Sequence, residues 1–415
     1  MNAFELAKQE YARYGVDVEK AIKRVNAIPL SVHCWQGDDV LGFEGTETLE
    51  GGIQTTGNYP GAAHGFEQLK EDIRFAFARM PGKKRLNLHA CYAILGDDAG
   101  KIDRDQYEYR HFLPWVEFAK EIGMDGIDFN PTFFAHKRVK DNLTLSSPDE
   151  ATRHFWVEHG IRSLEIATEL GKAFGKPCFV NIWIPDGLKD VPSDRMGPRL
   201  RLKKSLDEIL SSKTWDKKWV VVGVESKVFG IGMESYTVGN SEFYQNYAAK
   251  NDICCLMDMG HYHPTETVSD KIPSLLCFYD KLALHISRPV RWDSDHVVLL
   301  EDELKEVAKE IIRNDADDKV IIGLDYFDAS INRLSAWITG ERSMRKALLF
   351  AALLPNETLK KLQNEARFTE LMVLQERMKV MPFGAVYEEY LSRNGMNEGY
   401  VEECLKQEED VLLKR

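Results

Sequence analysis

The sequence predicts an α/β protein in which eight parallel strands alternate with helices and close into a barrel. Eight short apolar runs rich in β-branched residues are separated by longer segments, many of them with helical periodicity. The runs are nearly continuous, as is typical of parallel strands covered on both faces. A polar, chemically reactive side chain stands at or just beyond the end of each run.

The predicted strands span residues 30–35, 85–90, 126–130, 178–184, 220–225, 253–259, 282–286 and 320–324. Apolar residues recur with helical spacing at 66–80, 115–122, 155–174 and 302–312. This alternation of strand and helix indicates a parallel sheet, because parallel neighbours need a crossover connection.

The residues at the run ends distinguish a closed barrel from an open sheet. An open sheet uses only the strand ends near its switch point, whereas a barrel gathers all eight carboxyl ends around one mouth. Because every run contributes, the sequence predicts a (β/α)8 TIM barrel. In chain order the run-end residues are His33 and Trp35, His89, Asp128 and Asn130, Asn181 and Trp183, Glu225 and Lys227, Asp258 and His261, His285, and Asp325.

Helical segments flank the barrel. We expect an N-terminal helical segment at 1–29, a barrel catalytic domain at 30–335 and a C-terminal α-helical extension at 336–415. Helices are predicted at 330–354, 357–379 and 387–414. The extension could pack on the outer ring of the barrel or contact another subunit, because an amphipathic face does not identify its partner.

Composition and charge narrow the class of protein. The net charge is −12 and no long basic run occurs, which disfavours a nucleic-acid partner. No apolar run approaches the roughly 20 residues that a membrane span needs, and the N-terminal residues lack the apolar stretch of a secretion signal. The seven scattered cysteines fit a reducing, cytoplasmic location. The glycine-rich segment 51–61 lacks the lysine of a P-loop and is interpreted as a loop that could fold over the mouth.

Five carboxylates and two histidines are expected to converge at the mouth. Carboxylates this close would repel strongly, so protons or cations must neutralise some of them. Taken singly, each residue is more often a loop cap or an ion-pair partner; their joint placement favours a metal site. Oxygen and imidazole donors without thiolate suit Mn²⁺, Co²⁺, Mg²⁺ or Zn²⁺. The candidate ligands are Glu225, Asp258, His261, His285, Asp293, Asp295 and Asp325.

Other run-end residues suit a sugar. Lys227 follows Glu225 by two residues and could stabilise a developing alkoxide, or could merely neutralise a carboxylate. Trp35 and Trp183 offer flat apolar walls, although either could instead cover the core. His89 could bond a sugar oxygen or be an ordinary buried histidine.

Six segments closely resemble the bacterial L-rhamnose isomerase family, which is related to the xylose isomerase-like TIM barrels. They are Val-His-Cys-Trp-Gln-Gly-Asp-Asp at 32–39, Gly-Ile-Gln-Thr-Thr-Gly-Asn-Tyr-Pro at 52–60, Asn-Ile-Trp-Ile-Pro-Asp-Gly at 181–187, and the segments 224–232, 287–298 and 323–332. The resemblance runs from about residue 4 to residue 355 and continues more loosely to the end.

The resemblance implies a function and a site. Family members convert L-rhamnose to L-rhamnulose with two divalent ions per subunit, favour Mn²⁺ and form cytoplasmic homotetramers. By position, a structural metal would be bound by Glu225, Asp258, His285 and Asp325, and a catalytic metal by His261, Asp293 and Asp295, with Asp258 bridging. Catalytic roles fall to Lys227, Asp295 and Asp325, and sugar contacts to His89, Trp183, Trp35, Glu225 and Lys227.

The predicted reaction moves hydrogen between C1 and C2 of an open-chain aldose. The resemblance favours a hydride shift over a proton route through an enediol. Two alternatives stay open on the residues alone. The first is a two-metal TIM-barrel hydrolase or phosphodiesterase that binds phosphate with Lys227, Arg288 and Arg291, and the second is a non-catalytic sugar-binding protein.

Overall fold

A computed structural model describes residues 2–33, 40–44, 57–230, 233–291 and 293–415. Eight parallel strands close into a barrel in the order β1-β2-β3-β4-β6-β8-β9-β10, so the predicted fold is confirmed. The barrel strands are β1 (Leu30–His33), β2 (Lys84–His89), β3 (Ile127–Asn130), β4 (Cys178–Ile182), β6 (Val220–Glu225), β8 (Cys254–Asp258), β9 (Leu282–Ile286) and β10 (Val320–Leu324). An antiparallel ribbon of β5 (Gly187–Leu188) and β7 (Tyr236–Thr237) lies outside the barrel and was not predicted.

Helices surround the barrel and extend beyond it. They are α1 (Ala3–Ala12), α2 (Val18–Ala27), α3 (Gly65–Phe77), α4 (Leu113–Glu121), α5 (Glu150–Phe174), α6 (Gly197–Ser211), α7 (Ser241–Asn251), α8 (Val268–Leu275), α9 (Asp302–Arg313), α10 (Arg333–Ala352), α11 (Asn356–Asn364), α12 (Phe368–Lys379), α13 (Phe383–Arg393) and α14 (Tyr400–Asp410). In the part of the chain that the structure describes, no helix is long and apolar enough to cross a membrane.

The predicted elements differ from the observed ones mainly at their ends. The predicted strand 178–184 stops at Ile182, and the predicted helices at 357–379 and 387–414 are each divided in two. The first division falls at Ala366, whose φ of 54° is incompatible with a continuous helix, and the second contains Gly395 with φ 72°. The proposed division of the chain at residue 335 remains a prediction; it falls within the first turn of α10.

Alternate residues of the strands point into the barrel and form layers. At the amino-terminal end, Asp128 accepts hydrogen bonds from Arg85 (2.8 and 2.9 Å), from Ser31 (2.6 Å) and from the backbone N–H of Phe179 (2.8 Å). An apolar layer of Phe179, Cys254, Leu256 and Ala283 lies above it. Two positions beyond Phe179, Leu256 and Ala283 stand Asn181, Asp258 and His285, which reach the carboxyl-end mouth where the predicted site lies.

Candidate metal centre and sugar pocket

One pocket at the carboxyl-end mouth is lined by residues from seven of the eight barrel strands or the segments that follow them. Every predicted site residue lines it except Asp293, which contacts it through Lys227, and Trp35, which lies outside the described residues. The lining residues are His89, Asn130, Pro131, Phe134, Asn181, Trp183, Glu225, Lys227, Asp258, His261, His285, Asp295, Asp325 and Phe327.

Potential metal ligands form three groups in which all ligand atoms lie within 4.8 Å of one another. The carboxylate of Asp258 belongs to two of these groups, so it lies where two cations could share it. The groups are Glu225, Asp258 and His261; Asp258, Asp293 and Asp295; and His33, His285 and Asp325.

The His285 ring stands among three carboxylates. Its Nδ1 lies 3.1 Å from Asp325 Oδ2, 3.3 Å from Glu225 Oε1 and 3.8 Å from Asp258 Oδ2. Gly323 on the adjacent strand leaves room for this ring, because a Cβ at that position would stand 3.0 Å from His285 Cδ2.

The His261 ring is fixed by a backbone contact. Its Nδ1 lies 2.7 Å from the carbonyl oxygen of Ser226 and donates to it, which leaves Nε2 as the acceptor or ligand atom. Nε2 faces Asp293 Oδ2 at 3.3 Å and Lys227 Nζ at 3.4 Å. Because Nδ1 also lies 3.1 Å from Glu225 Oε1, the ring stands between the carboxylates of Glu225 and Asp293.

Asp293 and Asp295 converge through a turn, not through the extended backbone that their spacing predicted. Asp295 has a φ of 42°, a left-handed conformation that is unfavourable for a residue with a side chain. Its carbonyl oxygen accepts a hydrogen bond from the N–H of Phe327 at 3.1 Å, which stabilises the turn. Gly260 permits the close approach of this turn, because a Cβ there would stand 2.6 Å from Asp293 Oδ1.

The carboxylates of the site differ in the direction in which their pKa values are shifted. Burial raises the pKa of Asp258 to about 7, with a further rise from Glu225 and Asp293. Burial and the neighbouring Asp293 and Asp258 raise the pKa of Asp295 well above its ordinary value. Burial also acts on Glu225, but the imidazoles of His285 and His261 outweigh it and lower its pKa. The site therefore carries more carboxylates than its own cationic groups can neutralise.

The pocket wall beside the carboxylates is aromatic and cationic. Burial opposes protonation of Lys227, but Asp293 and Asp295 more than offset it and raise its pKa, so it is an ammonium donor. Lys227 contacts the Asp293 carboxylate and lies 5.1 Å above the Trp183 ring. Trp183 packs edge-to-face on Phe134 at 5.5 Å, and Nε2 of His89 lies 3.0 Å from the Asn130 amide nitrogen.

Several pocket residues were not singled out as site residues from the sequence. Asn181 donates to the Glu225 carboxylate, and Phe134 and Phe327 line the pocket. His33 and Asn181 had been noted only as strand-end residues, although their position was the signal that identified the other ligands. Phe134 and Phe327 follow their strands by several residues, and no pattern in the sequence distinguishes them from core aromatics.

The donor set fits divalent cations. Among the described residues, the buried atoms Asp293 Oδ1 and Asp295 Oδ1 accept no hydrogen bond, and a buried carboxylate oxygen without a partner is costly unless a cation satisfies it. Arg288 does not supply charge to this pocket. It donates to the carbonyl oxygen of Val297 at 2.9 Å and lines a separate cavity together with Arg291.

The barrel and its mouth define the class: a TIM barrel whose mouth holds buried groups of potential metal ligands. Comparison with known proteins then gives the family. The model of the family L-rhamnose isomerase (RhaA) matches residues 1–415. The chain belongs to the L-rhamnose isomerase family and is an aldose–ketose isomerase, which confirms the resemblance and decides against the hydrolase and the non-catalytic binding protein.

Individual relatives agree over the full length. The L-rhamnose isomerase of Listeria monocytogenes serotype 4a is 50% identical over 415 residues, which cover 99% of this chain and 98% of that protein. The L-rhamnose isomerase of Salmonella agona is 49% identical over 416 residues, covering 100% and 98%. Among solved structures, a 3-keto-D-glucoside 4-epimerase from E. coli matches with 11% identity and a TM-score of 0.44 over 72% of this chain and 99% of that chain.

Proposed function

We propose that this chain converts L-rhamnose to L-rhamnulose with two divalent ions bound at the barrel mouth. The observation that carries the proposal is the position of Asp258, which is shared by two groups of candidate ligands and is flanked by unsatisfied carboxylate oxygens. A site for one cation would not need a shared carboxylate. The family's reaction, in which charge develops on two neighbouring sugar oxygens, suits two adjacent cations.

The ligand assignment is the one that the family resemblance implies, and contacts of the two imidazoles support it. Glu225, Asp258, His285 and Asp325 would bind one ion, because the three carboxylates surround His285 Nδ1. His261, Asp293 and Asp295 would bind the second ion, with Asp258 bridging the pair. When bound, the two ions supply Lewis-acid polarisation of the sugar oxygens at C1, C2 and C3.

The remaining residues bind and orient the open-chain sugar. Lys227 donates hydrogen bonds as an ammonium and stabilises negative charge that develops on a sugar oxygen. Trp183 forms a flat wall of the pocket, and His89 is oriented by Asn130 so that its ring can bond a sugar hydroxyl. Asp295, whose carboxyl takes up a proton readily because it is buried and lies beside acidic neighbours, can receive and return the hydroxyl proton. Trp35, which lies outside the described residues, remains a proposed sugar contact.

We propose a hydride shift between C2 and C1 rather than proton transfer through an enediol. The resemblance to the L-rhamnose isomerase family favours this route, and the ligand-rich floor of the pocket suits polarised sugar oxygens. Turnover in deuterated water distinguishes the routes. We expect no deuterium at C1 of the ketose product, and full incorporation would contradict the hydride route.

The assignment of Asp295 is tested by the substitution Asp295→Asn. Losing a residue that only hydrogen-bonds to a metal ligand typically costs roughly 10–100-fold. We expect turnover to fall by more than this, because Asp295 is assigned as a ligand itself. We also expect the metal-free protein to stay folded, because the substitution removes a charge from a crowded acidic cluster. Asp190→Asn, in an exposed segment far along the chain from every candidate ligand, is the control. Turnover at the wild-type rate in the Asp295 variant would contradict the assignment.

Metal identity, assembly and location are proposed from the family. We propose Mn²⁺ as the preferred ion, with Co²⁺, Zn²⁺ and Mg²⁺ as alternatives that the same donors accept.

We propose a homotetramer, which the exposed apolar residues Phe368, Met372 and Val373 on α12 support because monomeric surfaces seldom group such side chains. A cytoplasmic location agrees with the six described cysteines, all free thiols. Light scattering after gel filtration measures the assembly.

A further inference from the structure

His33 stands beside the metal ligands without belonging to the predicted ligand set. It ends β1, and its register partner on β2 is Asn87. Both side chains are buried, and the Asn87 amide nitrogen lies 3.1 Å from His33 Nε2. The same relationship recurs one strand further round the barrel, where His89 and its register partner Asn130 meet at 3.0 Å.

The other ring nitrogen of His33 faces the carboxylate of Asp325. His33 Nδ1 lies 3.2 Å from Asp325 Oδ1, while Asp325 Oδ2 lies 3.1 Å from His285 Nδ1. The two imidazole rings stand edge to face with centroids 5.0 Å apart. The carboxylate is therefore held between two rings, each of which faces a different oxygen.

We propose that His33 is a positioning residue for Asp325, and that Asn87 sets the tautomer in which His33 donates from Nδ1. An amide nitrogen that donates to Nε2 requires a lone pair there, so the ring hydrogen resides on Nδ1, the side that faces Asp325. In the flipped amide orientation of the metal-free site, a lone pair on Nδ1 would face a carboxylate oxygen, which is unfavourable. Only in that orientation could His33 act as a metal ligand.

The consequence is that one oxygen of the Asp325 carboxylate faces His33, and only the other is directed at the metal ligands. In this tautomer Asp325 Oδ1 faces the Nδ1–H side of His33, and Oδ2 remains directed at the ligand group of His285. Outer partners of this kind orient metal ligands, and their loss typically reduces metal affinity by about 10–100-fold. This inference rests on the proposed two-metal function, because it assigns His33 to a ligand of that site.

The test compares three chains by calorimetric titration with Mn²⁺: wild type, His33→Leu and His33→Asn. We expect His33→Leu to bind one of the two ions about 10–100-fold more weakly. The amide nitrogen of asparagine reaches the position of Nδ1, so His33→Asn should recover most of the affinity. Equal binding by wild type and the leucine variant, or no recovery in a folded asparagine variant, would overturn the proposal.

A measurement on the wild-type chain shows whether His33 coordinates the metal or only positions Asp325. It does not depend on a variant that folds. Pulsed EPR of the Mn²⁺-loaded protein, with ¹⁵N-labelled histidine, counts the coordinated imidazoles. We expect two coordinated rings, from His261 and His285; a third would make His33 a ligand and overturn the proposal. A wild-type chain that binds no Mn²⁺ would instead contradict the proposed function.

Discussion

The two ends of the barrel interior both bury charge, but they neutralise it in different ways. At the amino-terminal end, the carboxylate of Asp128 is satisfied by the protein itself, through Arg85, Ser31 and a backbone N–H. At the carboxyl end, five carboxylates share the mouth, and buried oxygens of Asp293 and Asp295 have no hydrogen-bond partner among the described residues. The first arrangement is complete as folded, whereas the second leaves acceptor oxygens that a proton or a cation would satisfy.

The largest expected effect comes from removing the side chain of Asp258, the carboxylate that two groups of candidate ligands share. Asp258→Ala should abolish the binding of both ions and reduce turnover by more than about 100-fold, since this exceeds the loss of an outer partner. In the presence of Mn²⁺, we also expect the variant to be less stable than the wild type, because no bound metal favours its folded state. Metal content and turnover, measured together, check this. A variant that retained one tightly bound ion would contradict the bridging role.

The second effect concerns the amino-terminal end. Asp128→Asn leaves the Arg85 guanidinium buried without its counter-ion, so we expect a loss of about 3–5 kcal/mol in the free energy of unfolding. Binding of Mn²⁺ should not change. Asp317→Asn is the matched control: its partner Arg24 is partly exposed, so its loss should cost no more than about 1 kcal/mol. Denaturant unfolding measures both, and equal losses would refute the contrast.

A third prediction concerns the space that the carboxylates share. Gly260→Ala should place a methyl group 2.6 Å from Asp293 Oδ1 and 3.3 Å from Asp258 Oδ1. The displacement should weaken Mn²⁺ binding by about 10–100-fold, as disturbed ligand orientation does. Gly384→Ala on α13 is the control, because no atom outside its local backbone lies within 4 Å of the added Cβ. Unchanged Mn²⁺ affinity in the first variant would show that the turn can relax.

The last expected effect is a pH dependence confined to the metal-free protein. Burial raises the folded-state pKa of Asp258 from 3.8 to about 7, so between these values the folded protein binds a proton that the unfolded chain does not. The free energy of unfolding should therefore fall as the pH rises from about 4 to 7. Saturating Mn²⁺ should remove or reverse this slope. Thermal unfolding across that range, with and without Mn²⁺, is the measurement; identical slopes would contradict it.

The sequence predicted the barrel well because its evidence was local. Three strands, at 220–225, 282–286 and 320–324, have the predicted bounds, and their final residues or those just beyond them reach the site. Asp293 and Asp295 were predicted to converge, but on extended backbone. The structure uses a left-handed residue instead, and spacing alone does not reveal such a turn.

The pairing of His33 with Asn87 depends on register, which the sequence does not display. The two residues are 54 positions apart and meet because β1 and β2 align in one way. A weak signal was present: Asn87 precedes His89 by two residues and therefore shares its face of the strand. Roles for Phe134 and Phe327 could not be predicted, because they depend on the paths of long segments after their strands.

The ring orientations of His261 and His33 depend to different degrees on the identity of a neighbouring residue. His261 is oriented by the main-chain carbonyl of Ser226, which any amino acid at that position would supply. His33 is oriented by the side chain of Asn87, which a single codon change can remove. Across divergent homologues, positions 33 and 87 should therefore change together or not at all, whereas the orientation of His261 sets no such pairwise condition at position 226.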